Sequence, residues 1–241
     1  MIIAAQMTLL LDLFPGNADR TIAGRQADRR LASWRNVLAV LFTGCALSAG
    51  SALAADEPAA AVGDATAGQG KAAVCAACHG ADGKALQPTY PNLAGQHASY
   101  LAKQLTNYRD GGRVNALMSG QAANLSDQDI LDLAAYYSAM PAIDGVATEE
   151  NLTLGESIYR GGITAQGIAS CMGCHGPQGL GNPAAVVPAL HGQSADYTAE
   201  QLRLWRAGER SNDPNNVMGA LAHRLTDTEI EAVANYIEGL H

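Results

Sequence analysis

Two pentapeptides offer chemistry that the rest of the chain does not: Cys75-Ala76-Ala77-Cys78-His79 and Cys171-Met172-Gly173-Cys174-His175. C-x-x-C-H is the attachment signature of c-type haem. The two thiols add to the two vinyl groups of the porphyrin and become thioethers, and the two intervening residues set the sulfur spacing. The histidine that follows is placed under the iron as its fifth ligand. Cys75, Cys78, Cys171 and Cys174 therefore read as covalent anchors, and His79 and His175 as iron ligands, of two haems c per chain.

Three other chemistries use C-x-x-C. Two such pairs can build a four-cysteine zinc site. Here the pairs lie about 96 residues apart, and each is followed by a histidine that zinc does not require. A thioredoxin-like redox pair expects a strand before it and βαβ patterning around it, and the sequence has neither. A structural disulfide is the plainest alternative.

An iron with an open sixth position activates small molecules, whereas one with both axial positions filled passes electrons. A methionine thioether in that position raises the reduction potential. Met118 and Met218 occupy equivalent places, each eight residues before a helix-start signal, in loops rich in Gly and Asn. They are the candidate sixth ligands. A lone methionine is ordinarily core filling; the matched placement argues otherwise. Met172 lies inside the second motif, too near His175 to reach the opposite face, and Met140 has no counterpart. His97, His191 and His223 are alternative ligands, and none has a histidine in the other copy. An iron-bound histidine needs its second ring nitrogen held by a hydrogen bond, and the backbone carbonyls of Pro91 and Pro188 are plausible acceptors. Tyr100, Arg109, Tyr197 and Arg206 suit contacts to haem propionates, or equally a solvated helix face.

The elements that position these residues form a repeat. Tyr90-Pro91-Asn92-Leu93-Ala94-Gly95-Gln96 parallels Val187-Pro188-Ala189-Leu190-His191-Gly192-Gln193. Tyr100, Gln104, Leu105 and Arg109 align with Tyr197, Gln201, Leu202 and Arg206. Ile130, Leu133, Ala134 and Tyr137 form a helical stripe, repeated by Ile230, Val233, Ala234 and Ile237. Ser126-x-x-Asp129 and Thr226-x-x-Glu229 are capping-box starts. Each copy thus reads as three main helices: about 65–74, 97–109 and the capped helix in the first, and about 154–161, 194–206 and the capped helix in the second. Residues 55–140 are expected to form one domain, 141–152 a polar linker and 153–241 a second domain. No period-2 strand is evident.

Residues 1–54 read as a leader. Arg29, Arg30 and Arg35 precede an apolar run from Val37 to Ala49 and an A-x-A cleavage site at Ala52-Leu53-Ala54. Its length is unusual for a signal peptide. Leu41 to Cys45 forms a weak lipoprotein box, which would anchor the chain to a membrane, as would an uncleaved leader. After Ala54 no apolar run approaches the roughly 20 residues of a membrane span. Removing the leader takes five arginines and three aspartates, leaving a net charge near −10. That balance argues against a nucleic-acid partner. The chain is rich in small residues, and Trp205 is its one tryptophan beyond the leader. Small domains with few large side chains struggle to bury enough apolar surface, so a large flat cofactor in each core suits the composition.

Two C-x-x-C-H units, each followed by Pro-x-Leu-x-Gly-Gln and then a methionine, resemble class I cytochrome c domains in tandem, and most of all the di-haem cytochrome c4 family. The resemblance runs from about Gly63 to Leu240. It implies an all-α fold, two class I cytochrome c domains related by a pseudo-two-fold, and axial pairs His79/Met118 and His175/Met218. It also implies a periplasmic, often membrane-associated electron carrier, not an enzyme, that passes electrons toward terminal oxidases. Redox partners would be such an oxidase, a quinol-oxidising complex or a dehydrogenase. A second role with the same fold is the cytochrome subunit of a larger dehydrogenase, such as a flavocytochrome. A di-haem peroxidase would need one accessible sixth site, which two matched methionines do not leave. The long leader departs from the family pattern.

Overall fold

The computed structural model of the chain describes residues 62–240. The leader, its cleavage site and Cys45 lie outside the described residues. The first half contains α1 (Ala65–Lys71), α2 (Ala73–His79), α3 (Ala98–Asp110), α4 (Ala116–Ala122) and α5 (Asp127–Ser138). The second contains α6 (Leu152–Gly161), α7 (Met172–His175), α8 (Ala195–Ala207), α9 (Val217–Ala222) and α10 (Asp227–Glu238). Among the described residues the only β pairing is two isolated bridges, Ile163 with Ile168 and Asn182 with Val187. The fold is all-α, as expected.

Local chemistry accounts for the helix starts. The hydroxyls of Ser126 and Thr226 accept from the N–H groups of Asp129 and Glu229, whose carboxylates accept from the two cap residues in return. Each closed box satisfies orphan donors of the first turn. The apolar stripes behind these caps are buried: Ile130, Leu133, Ala134 and Tyr137 in α5, and Ile230, Val233, Ala234 and Ile237 in α10. α1 and α3 pack on α5, and α6 and α8 pack on α10. The α1/α5 and α6/α10 crossings are made close by Gly68 and Gly155, where a Cβ would meet the carbonyls of Asp132 and Ala232.

The three expected helices per half are present, with two differences. The first helix breaks at Ala72 in one half. In the other it stops at Gly161, and residues 163–170 intervene before α7, with a single 3-10 turn at Thr164–Gln166. Moreover, Met118 and Met218 sit on the short helices α4 and α9, not in loops. Asn115 starts α4 by accepting from the N–H groups of Leu117 and Met118. In α9 the Met218 N–H donates to Asp213 at 2.7 Å.

The segment between the halves is pinned to the second one. Thr148 N–H donates to Asn235 Oδ1, and Asn235 Nδ2 donates to the carbonyls of Thr148 and Glu150. Among the described residues no helix is long and apolar enough to cross a membrane.

Candidate haem sites

Each C-x-x-C-H histidine ends a helix. His79 closes α2 and His175 closes α7, and both are buried, at 6% and 7% exposure. Gly80 and Gly176 follow with φ of 75° and 80°. That left-handed region is cheap only for glycine, and it turns the chain away directly below each imidazole. The turn feeds loops whose proline carbonyls come back over the rings. His79 Nδ1 lies 3.0 Å from the Pro91 oxygen, and His175 Nδ1 lies 3.0 Å from the Pro188 oxygen. The carbonyl can only accept, so Nδ1 carries the proton and Nε2 has a free lone pair. Burial pushes both imidazoles below their ordinary pKa, and the carbonyl contact opposes it only in part. Both rings are therefore neutral at pH 7.

Cys75, Cys78, Cys171 and Cys174 are free thiols, and Cys174 is exposed. No disulfide joins them. Among the described residues no group of three or more His, Cys, Asp or Glu is arranged to hold a metal ion, so the two pairs do not converge into a zinc site. Met118 and Met218 are both half-buried. His97 lies at the start of α3 with Nε2 2.7 Å from the Leu180 carbonyl, and His223 is exposed at the end of α9.

The four residues expected near propionates divide into two groups. Arg109 donates to the Leu125 carbonyl and pairs with Asp110 and Asp127, and Arg206 donates to the Leu225 carbonyl and pairs with Asp227. Both tie the second helix of a half to the start of its last helix, so these guanidiniums already have their anions. Tyr100 and Tyr197 instead face the seam between the halves, where each hydroxyl accepts from an arginine of the other half.

That seam is built around Arg113 and Arg210, each 7% exposed. Arg113 donates to Gln104 Oε1 in its own half, and to Tyr197 and Gln201 Oε1 across the seam. Arg210 donates to Gln201 in its own half, and to Tyr100 and Gln104 across it. The two cations therefore share both glutamine oxygens. Each stacks on a ring, Arg113 on Tyr108 at 4.7 Å and Arg210 on Trp205 at 4.5 Å. Neither forms an ion pair among the described residues. The local field is positive. Burial alone would raise the Tyr197 phenol, yet Arg113 and Arg210 hold its pKa below the ordinary value. Burial and then Arg210 push the Lys103 ammonium down, with Asp213 offsetting in part.

A second set of seam contacts reaches the proximal loops. Gln96 exchanges two hydrogen bonds with the backbone of Ala189, the residue after Pro188, at 2.8 and 3.0 Å. Gln193 does the same with Asn92, the residue after Pro91, at 3.0 and 2.9 Å. Each half thus holds the loop that orients the other half's histidine.

A cytochrome c family model matches residues 65–140 and 163–241. Cytochrome c4 of Pseudomonas aeruginosa is 47% identical over 182 residues, covering 75% of this chain and 90% of the relative. The chain belongs to the di-haem cytochrome c4 family. The crystal structure of reduced recombinant cytochrome c4 from Pseudomonas stutzeri superposes with a TM-score of 0.73 at 45% identity, over 75% of this chain and all of that one. A thiosulfate dehydrogenase electron acceptor from Stutzerimonas stutzeri is 43% identical, over 68% of this chain and 78% of its own.

Cytochrome c4 proteins are electron carriers with two covalent haems c, and this chain is one of them, not an enzyme. Its residues fit that cofactor. A haem brings two carboxylates, and the seam offers two buried guanidiniums without an acid partner. It also offers Gln104 Nε2, a buried donor with no hydrogen-bond partner among the described residues. Buried cations of this kind are strongly unfavourable unless an anion meets them. Sequence reasoning passed over Arg113 and Arg210, although Arg109-x-Gly111-x-Arg113 recurs as Arg206-x-Gly208-x-Arg210. It noted Gln96 and Gln193 only as part of the repeat.

Proposed function

We propose that the chain is an exported, periplasmic electron carrier in which His79 and Met118 ligate one haem iron, and His175 and Met218 the other. Cys75, Cys78, Cys171 and Cys174 anchor the two porphyrins, and residues 55–140 and 153–241 form the two domains. When bound, haem supplies a one-electron Fe(III)/Fe(II) couple. The chain supplies fixed axial ligands and a largely apolar surround. The observation that best supports the assignment is the matched pair of buried imidazoles, each with Nδ1 turned to a proline carbonyl and Nε2 left for metal. An orientation held this way need not change between oxidation states, which favours fast transfer. Arg113 and Arg210 are the cations that face the propionates. Single Met118→Ala and Met218→Ala variants test the ligands. Each is expected to turn one haem from low spin to high spin and to lower that haem's potential alone. A variant that keeps both low-spin spectra and both potentials refutes its assignment. N-terminal sequencing of the mature protein, expected to begin at Ala55, tests export.

The acceptor we propose is a terminal oxidase. Likeness to thiosulfate dehydrogenase electron acceptors supports a second reading, in which the chain takes electrons from a dehydrogenase of that kind. Stopped-flow mixing of the oxidised holoprotein with a thiosulfate dehydrogenase and thiosulfate separates the two. Reduction within the turnover time of the dehydrogenase favours the second reading, whereas slow reduction with fast oxidation by an oxidase favours the first.

A further inference from the structure

The two halves place a tyrosine against the first cysteine of each haem motif, but not from equivalent positions. In the first half it is Tyr137 of α5, in the apolar cluster that Cys75 packs against. In the second it is Tyr159 of α6, in the cluster that Cys171 packs against. The repeat pairs Tyr137 with Ile237 and, through Gly68 and Gly155, Ala72 with Tyr159. All four are buried. A large ring has moved from the last helix to the first, and the vacated place is filled by a smaller side chain.

The two hydroxyls meet different fates. Tyr159 Oη donates to the Gly176 carbonyl at 2.7 Å, so its hydrogen-bonding capacity is used within the protein. Tyr137 Oη is buried without a hydrogen-bond partner among the described residues. Cys75 packs on the same cluster, and burial and then the neighbouring Cys75 push the Tyr137 phenol above its ordinary pKa. A free thiol competes for the contact as a weak donor; a thioether has lone pairs and no proton, so it can only accept. Attachment of haem would therefore convert an ambiguous contact into a phenol that donates to sulfur.

We propose that Tyr137 tunes the first haem by donating a hydrogen bond to the Cys75 thioether sulfur, a contact that the second haem lacks. The proposal rests on the reading of Cys75 as a haem anchor. Hydrogen bonds and burial around a cofactor are among the protein's levers on its potential. A donor on the sulfur draws electron density from the porphyrin edge and stabilises the reduced state. Tyr137 acts through the cofactor and is a positioning residue of one half only.

The test is Tyr137→Phe in the di-haem holoprotein, with Tyr159→Phe as the internal control. Both potentials are read by redox titration, and the haem methyl resonances by NMR. Signals are assigned to each half with Met118→Ala and Met218→Ala. Tyr137→Phe is expected to lower the first haem's potential and move its methyl resonances while leaving the second haem in place. Tyr159→Phe is expected to leave both potentials unchanged. Pyridine haemochrome spectra of the same samples keep the two levels apart. Two vinyl-free haems per chain with no change at the first haem of Tyr137→Phe, or with equal shifts at both, overturn the proposal alone. A first haem that keeps a free vinyl in the unaltered protein overturns the assignment of Cys75, and the proposal with it.

Discussion

Replacing Gly68 with alanine pits two effects of opposite sign against each other. In a helix interior, Gly→Ala ordinarily stabilises by up to about 1 kcal/mol, because glycine gives up more backbone freedom. At Gly68 the new Cβ would stand 2.6 Å from the Asp132 carbonyl carbon, closer still to its oxygen, and 2.8 Å from Tyr136 Cβ. At Gly155 it would stand 2.7 Å from the Ala232 carbonyl carbon and 2.8 Å from Tyr236 Cβ. The obstacle is helix backbone, which cannot swing aside like a side-chain tip. Relief requires α1 to back away from α5, or α6 from α10, and overpacking of this sort costs about 1–3 kcal/mol. The steric effect wins, for a net loss of about 1–2 kcal/mol. In a domain of this size that lowers the melting temperature by roughly 5–15 °C. Gly70 lies on the same helix as Gly68 with nothing within 4 Å of its ideal Cβ, so Gly70→Ala should gain up to about 1 kcal/mol. Thermal unfolding of the holoprotein by far-ultraviolet circular dichroism, with two haems confirmed per chain, measures all three. A Gly68→Ala protein as stable as the parent would refute the reasoning, since it would mean the helices do not meet where the structure has them.

Other consequences can be checked in the same protein. Gln96→Ala removes two cross-seam hydrogen bonds to Ala189 and should cost about 1–3 kcal/mol. NMR should show its main disturbance at the second haem, although Gln96 belongs to the first half. Arg113→Gln and Arg210→Gln remove buried positive charge and should lower at least one haem potential each, read by redox titration. Acid should act first on the first half. Asp132, held near a pKa of about 2 by the Asp64 N–H, Lys71 and Gln128, has Ala232 as its counterpart. Because the folded pKa is depressed, its contribution is complete above the unfolded value near 3.9 and is lost as pH falls from about 4 toward 2. Hydrogen exchange at graded pH should show α1 and α5 opening before α6 and α10.

The parts that sequence could reveal are those that local chemistry determines. Ser126-x-x-Asp129 and Thr226-x-x-Glu229 announced α5 and α10 because a capping box needs only four consecutive residues. α4 and α9 escaped notice because seven and six residues are too few to show a helical period, although Asn115 two residues before Leu117 was a usable cap signal. Arg109 and Arg206 stood in matched positions that suggested a cofactor role. Their guanidiniums instead meet Asp127 and Asp227, eighteen and twenty-one residues on, and only the packing of the second helix on the last brings these together. Arg113 and Arg210 were less legible still. Each has one glutamine partner nine residues away in its own half, but the partners across the seam lie 84 to 110 residues away, where no local pattern can point.

What the two halves conserve between them is a set of physical relations, not residues. The relation between histidine and proline carbonyl is kept to the same 3.0 Å on the same atoms, as the proposed ligation of an iron by both rings would require. The glycine at the helix crossing is kept because two backbones cannot approach so closely otherwise. Away from these constraints the solutions diverge. Where the first half buries Asp132 beside Lys71, the second packs Ala232 and Ile158, both nearly inaccessible. Where the first fills the space by its cysteine from α5, the second does so from α6. A seam that ties each half to the other's proximal loop holds both to one geometry, while each core is free to settle its own polarity. Two haems on one duplicated frame need not therefore share one potential.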